Sequence, residues 1–226
     1  MKEGFNLNTA QQLRAIHQYT YEKMKSDKTG HGFDHIQRVV NLTKYIAAQE
    51  TQPFNYLTAV SAAYLHDIAD DKLVTDVQAS ETEMKNFLTS IEFLPSQIAA
   101  ITTITHNMSF SKSLENKHQQ LSLAGQMVQD ADRLDAIGAI GITRAIYYGG
   151  AHQEIIYDPK IKPRKSFSKQ EYRDLANETI INHFYEKLLK LKALMNTTGG
   201  KLLAEQRQQF MLNFLTEFKA EWTGEK

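Results

Sequence analysis

The chain has 226 residues, 42% of them apolar and 23% charged, which is enough for one large core and excludes a disordered or fibrous chain. Its 26 Lys and Arg balance 26 Asp and Glu, so it lacks the basic excess of a protein that grips duplex nucleic acid, although a local basic pocket for a small anion stays open. There are no cysteines, which rules out disulfides and thiolate metal ligands and leaves His and carboxylates as the donors for any metal.

Helical periodicity runs through the chain. Residues 8–27 read as an amphipathic helix on Leu13, Ile16, Tyr19/Thr20 and Lys23/Met24. A loop, Thr29-Gly30-His31-Gly32, leads to a helix over 34–50 with His35, Val39, Leu42 and Ile46 on one face. Pro53 suits the first turn of a third helix, 53–70. Its AVSAAYLHDIA segment is apolar or small almost all round and belongs in the core. Ser80-Glu81-Thr82-Glu83 resembles a capping box for a helix to about Ser90, and Pro95 opens another to Asn107.

Residues 108–117 read as a loop, followed by helices near 118–129 and 132–148, the second ending at Gly149-Gly150. Residues 151–167, with two prolines and the bases Lys160, Lys162, Arg164 and Lys165, read as a surface loop that could meet a polyphosphate. Ser168 starts a helix to about Met195, and 201–222 form a last amphipathic helix carrying Leu203, Phe210, Phe214 and Phe218. No strand, repeat or low-complexity linker stands out. The fold class expected is all-α, one unit over 1–226. No run of about 18 apolar residues marks a membrane helix, and the N-terminus lacks the apolar run of a signal peptide, so the cytoplasm is the expected location.

Three segments bring ionisable residues onto apolar faces: His35 beside Val39, Leu42 and Ile46; His66-Asp67 within the core-like helix; and Asp132, expected to open a helix that continues through Ala136, Ala139, Thr143 and Ile146. Buried His and Asp are costly unless paired. Singly, each reads equally well as a satisfied core histidine or a capping aspartate. As a set they fit one divalent cation, for which imidazole and carboxylate suit Mn, Mg, Ni, Zn or Fe. Asp70 and Asp71 lie three and four residues after Asp67. On a continuing helix they would stand one turn beyond it and could exchange protons with an attacking water. Lys72, Arg133 and His31 are candidate phosphate contacts, Lys72 and Arg133 equally readable as structural ion pairs, Arg133 with Asp135 for example. Arg38, one turn after His35, fits a partner that orients a carboxylate. His106 reads as a surface or supporting residue.

The series His35 … His66-Asp67 … Asp132, within GHGFDHIQRVV, AAYLHDIADDK and VQDADRLDAIGAIG, resembles the H…HD…D signature of the HD-domain superfamily of metal-dependent phosphohydrolases. The string HFYEKLLKL at 183–191 and the last helix ending in Glu-Trp are similar to the stand-alone bacterial members, a group that includes nucleoside triphosphate pyrophosphohydrolases. The resemblance implies an HD helical core over about 10–150, a C-terminal helical extension over about 168–222, and one metal, Mn first among the candidates, on His35, His66, Asp67 and Asp132. It supports Asp70 and Asp71 as the acid/base pair, Asp70 first, because alarmone-cleaving relatives carry two acids at that offset.

The activity it implies is hydrolysis of a (deoxy)nucleoside triphosphate to monophosphate and pyrophosphate. Alarmone or nucleoside monophosphate hydrolysis is the alternative within enzymes, and a metal-stabilised binding or signalling module the alternative outside them. The partner expected is a small anionic nucleotide, with no stable nucleic-acid complex and no membrane. A homodimer is left open.

Overall fold

The computed structural model describes residues 7–28, 30–71, 73–109, 120–164 and 179–226. Among these the chain is helical, the lone β-bridge pairing Ile155 with Thr179. In order come α1 (Thr9–Met24), α2 (Phe33–Ala47), α3 (Tyr56–Leu65), α4 (Val77–Ser90), α5 (Pro95–Asn107), α6 (Leu123–Asp135), α7 (Gly138–Ala151) and α8 (Ile180–Glu186). A 3-10 helix (Leu188–Leu194) and α9 (Thr198–Thr223) follow. No helix of the described residues is long and apolar enough to cross a membrane.

Short polar side chains start most of these helices by accepting hydrogen bonds from otherwise unpaired amides. Asn8 and Gln11 form a reciprocal cap on α1. Asn55, Asp76, Ser122, Thr179 and Thr197 cap α3, α4, α6, α8 and α9. Two expected starts therefore move. Pro53 precedes α3 because the chain does not turn helical until Asn55 supplies an acceptor. The Ser80 capping box lies inside α4, because Asp76 caps it four residues earlier.

The region expected as two helices, 118–129 and 132–148, is also different. The chain stays helical from Leu123 through Asp135, since nothing in Gln129-Asp130-Ala131-Asp132 interrupts the hydrogen-bond ladder. The break falls at Gly138, whose φ of 77° an L side chain rarely adopts; a Cβ there would also meet Arg207 Cγ at 2.9 Å. Asp132 thus stands in the last turn of α6 and does not open a helix. The helix expected over 168–195 lies partly outside the described residues, and its described part is α8 followed by the 3-10 helix.

Helix α3 is the centre of the packing: Thr58 through Leu65 are all buried. It contacts α1, α2, α5 and α6, and α2 and α6 also contact each other. Fully buried Ile36, Ile46, Leu65, Ile101, Met127 and Leu134 fill the space between them, each burial contributing about 1.5–3 kcal/mol. Helix α9 lies against α6, α7 and α2. It starts where buried Asp130 accepts from the amides of Asn196 and Thr197 and from Thr197 Oγ1 at 2.7–2.9 Å. Its far half carries Phe214, Phe218 and Trp222, which meet Phe184 and Tyr157 at ring separations of 5.2–5.8 Å.

Candidate active site and metal centre

The mutual packing of α2, α3 and α6 brings one ionisable group from each to a common point. His35 projects from the first turn of α2, His66 and Asp67 from the end of α3, and Asp132 from the last turn of α6. His35 Nε2 lies 3.2 Å from His66 Nε2, 3.5 Å from Asp67 Oδ2 and 3.6 Å from Asp132 Oδ1. His66 Nε2 is 3.4 Å from Asp67 Oδ1 and 3.9 Å from Asp132 Oδ1. Among the described residues, His35, His66 and Asp132 each place a ligand atom within 4.8 Å of the other two, so they could hold a metal ion. His35, His66 and Asp67 are buried, whereas the Asp132 side chain keeps 31% of its surface exposed and marks the open side.

The outer contacts of the two histidines set their tautomers. His35 Nδ1 meets Asp135 Oδ2 at 2.7 Å, and His66 Nδ1 meets the carbonyl of Ala63 at 2.9 Å. Carboxylate and carbonyl oxygens accept, so both Nδ1 atoms carry the hydrogen, and in the neutral rings both Nε2 atoms present lone pairs. Two lone pairs 3.2 Å apart repel unless a cation lies between them. Asp67 Oδ2 adds to this, being buried with no hydrogen-bond partner. An orphaned carboxylate oxygen beside two converging imidazole lone pairs fits a divalent ion with N and O ligands.

Without metal, a proton answers the same demand. Burial opposes charge on His35, but the hydrogen bond to Asp135 and the negative charge of Asp67 outweigh it and raise its pKa to about 9. Burial likewise opposes ionisation of Asp67, yet the positive fields of His66 and His35 hold its carboxyl well below the usual range.

Asp135 organises the layer behind the donors. It is 1% exposed and accepts from His35 Nδ1, from Arg38 Nε at 2.7 Å and Nη2 at 3.1 Å, and from Arg144 Nη1 at 2.9 Å. Burial would raise its pKa, but these donors depress it below the ordinary carboxylate range. Arg38 also donates to Asp34 Oδ2, so it supports the site through Asp135 rather than touching it. Arg144 Nη2 reaches the carbonyl of Gly30 at 2.8 Å and pins the loop that carries His31. Sequence reasoning missed Asp135 and Arg144 in these roles. Asp135 was detectable from its spacing of three after Asp132, but Arg144 carried no local signal.

A cleft opens on the donors. Of the residues nominated from sequence, His31, His66, Asp67, Asp70, Asp132 and Arg133 line it. Asp71 is exposed and outside that lining. The reason is that α3 ends at Leu65 and the backbone continues in turns, with Asp70 N bonded to Asp67 O, so the two acids do not share the expected helical face. Lys72 lies outside the described residues. Arg133 does not pair with Asp135: its Nη1 donates to the carbonyl of Leu194, and its Nε is buried without a partner.

The 151–164 segment contributes nothing to the lining. Arg164 is committed to buried Glu186, Lys160 and Lys162 are exposed, and Lys165 lies outside the described residues. The cleft instead includes Arg144 and Lys187, which sequence reasoning had not placed there. His106 is exposed and bonds Glu81 at 2.7 Å.

Known proteins resemble this chain in sequence and fold. A family model described as HD domain matches residues 32–137, which span His35, His66, Asp67 and Asp132. The uncharacterized protein YpgQ of Bacillus subtilis is 32% identical over 224 residues, 99% of this chain and 97% of that one. The crystal structure of YpgQ in complex with ADP aligns with a TM-score of 0.75 at 30% identity, covering 95% of this chain and 97% of that one. A Lactobacillus plantarum protein of known structure aligns with a TM-score of 0.82 at 47% identity, covering 94% and 97% of the two chains. An HD-superfamily hydrolase from Bacillus thuringiensis aligns at 0.75 and 33% identity, covering 96% and 99%. With a relative this similar along almost its whole length, and a family model matching residues 32–137, the chain belongs to the HD-domain family.

Proposed function

We propose that the protein is a metal-dependent phosphohydrolase that cleaves a (deoxy)nucleoside triphosphate to monophosphate and pyrophosphate. The observation that carries the metal is the approach of His35 Nε2 to His66 Nε2 at 3.2 Å with both Nδ1 atoms committed elsewhere. The nucleotide is supported by the ADP complex of YpgQ. His35, His66, Asp67 and Asp132 would hold one divalent ion, Mn first, with Mg, Ni, Zn and Fe as the others their chemistry admits. When bound, such an ion supplies Lewis acidity, making water a better nucleophile and neutralising charge on the phosphoryl group.

The chain's own residues do the rest. Asp70, in the cleft beside Asp67, takes the proton that the attacking water loses. A bond forms from the water oxygen to the α-phosphorus. The α-phosphorus–oxygen bond to the β-phosphate breaks, its electron pair leaving on pyrophosphate. Arg133 and His31 meet phosphate oxygens from the cleft wall. Buried Asp135 keeps His35 in the tautomer that faces the donors. We also read 1–226 as one unit, with an HD core over about 10–150 and an extension over about 168–222, supported by the packing of α9 on α2, α6 and α7.

The test is a screen of purified, metal-reconstituted protein against nucleotides with products identified. Monophosphate plus pyrophosphate from a triphosphate supports the reading. Free phosphate from a monophosphate, pyrophosphate from a 3′ position, or no turnover overturns it.

A further inference from the structure

The HFYEKLLKL string straddles the junction between α8 and the 3-10 helix, and the metal centre makes no use of it. Its two adjacent charges point to different tasks. Glu186 is 1% exposed and accepts from Arg164 N at 2.8 Å and Nε at 2.7 Å, an inward bridge that fixes the rotation of this segment. Lys187 is where α-helical geometry ends, with φ −132° and ψ −60°. Lys187 lines the cleft, as do Asp132, Arg133 and Leu191.

Arg133 is the second observation. It is 7% exposed, yet its Nε is buried with no partner, and its Nη1 donates to the backbone carbonyl of Leu194, a neutral acceptor. A buried guanidinium short of acceptors is costly, and an anion in the cleft would offset that cost. Asp67 and Asp70 enter the cleft from the end of α3, Asp132 and Arg133 from α6, and Lys187 from the α8 junction. A phosphoryl displacement sets the attacking and leaving oxygens roughly in line, and the leaving side gains negative charge.

We infer that Lys187, together with Arg133, forms the subsite for the departing pyrophosphate, the β- and γ-phosphates of the nucleotide, while Asp70 serves the attacking side. This rests on the triphosphate reading above. It also makes the C-terminal segment part of the substrate site, since Lys187 and the Leu194 carbonyl both belong to it.

The test is calorimetric titration of inorganic pyrophosphate, in constant excess magnesium, into metal-loaded wild type, Lys187→Met, Lys187→Gln, Lys187→Arg and Lys160→Met. Adenosine monophosphate is titrated in parallel. Both neutral variants at 187 should weaken pyrophosphate binding about 10-fold or more and leave monophosphate binding nearly unchanged. Lys187→Arg should keep most of the pyrophosphate affinity. Lys160→Met, an equal loss of charge on the exposed loop, should bind like wild type.

Wild-type pyrophosphate affinity in both neutral variants overturns the subsite. So does an equal loss for both ligands, an equal loss in Lys160→Met, or no pyrophosphate binding by wild type. The triphosphate reading fails separately, on product identity: release of free phosphate alone, with the neutral variants still losing pyrophosphate, would remove that reading and leave the anion subsite standing.

Discussion

His35 Nε2 and His66 Nε2 face each other at 3.2 Å because Asp135 and the Ala63 carbonyl hold the opposite nitrogen of each ring. Outer hydrogen bonds thereby convert two ordinary histidines into two inward lone pairs, and the orphaned Asp67 Oδ2 completes an anionic, electron-rich corner. The centre is built from behind, by groups that never reach the cleft.

Removing a donor should remove the metal. His66→Ala and Asp67→Ala are expected to lose bound metal and turnover, and to lose the rise in thermal midpoint that metal gives the wild type. Metal content by elemental analysis and melting with and without metal are the measurements. Stoichiometric metal in Asp67→Ala would place the ion elsewhere.

Asp135→Asn tests the layer behind. It keeps the shape but replaces a carboxylate that accepts from His35, Arg38 and Arg144. Metal affinity should fall about 10–100-fold, with metal binding still measurable because the donors remain. An unchanged dissociation constant would show that His35 needs no such support.

The pH dependence of metal-free stability follows from His35. Its pKa rises from the ordinary 6.5 to about 9 on folding, against burial and through Asp135 and Asp67. A raised pKa means the proton stabilises the fold, fully so below the unfolded value, and that this contribution is lost as pH climbs through the folded one. The thermal midpoint of metal-free protein should therefore fall between pH 6.5 and about 9. The gap between metal-loaded and metal-free midpoints should widen over the same window, because metal and proton compete for one site. A metal-free midpoint that is flat or rises there contradicts this account.

The two acids after the His-Asp pair should behave differently. Asp70 lines the cleft and Asp71 does not. Asp70→Asn is expected to retain metal and lose about 10²–10⁴-fold in kcat, while Asp71→Asn stays near wild type. Metal content and steady-state kinetics on both variants decide it. Near-normal kcat in Asp70→Asn would end its role as proton acceptor.

Gly200→Ala probes the clamp between α6 and α9. A Cβ there would lie 2.4 Å from Asp130 Oδ2, the oxygen that accepts from Thr197 N and Oγ1. The buried carboxylate must shift and its donors lose their acceptor, a cost of about 1–3 kcal/mol. Chemical denaturation measures it, and unchanged stability would mean the clamp is slack.

The sequence by itself determined the all-helical class, the core position of the α3 segment and the His35, His66-Asp67 and Asp132 series, because apolar periodicity and ionisable groups on apolar faces are local signals. It misplaced the starts of α3, α4 and α7, where one capping side chain or one positive-φ glycine outweighs propensity. It put both Asp70 and Asp71 one turn beyond the ligands, Asp70 first, because a helix was extended past Leu65. Only the tertiary structure decided which of them meets the cleft, that Asp135 and Arg144 stand behind His35, and that Lys187 joins the cleft in place of the basic 151–164 loop. Lys187 and Arg133 lie 54 positions apart in the chain, and His35 and Asp135 lie 100 apart. Such relations depend on how helices cross and where backbones turn, which no pattern within a single segment encodes.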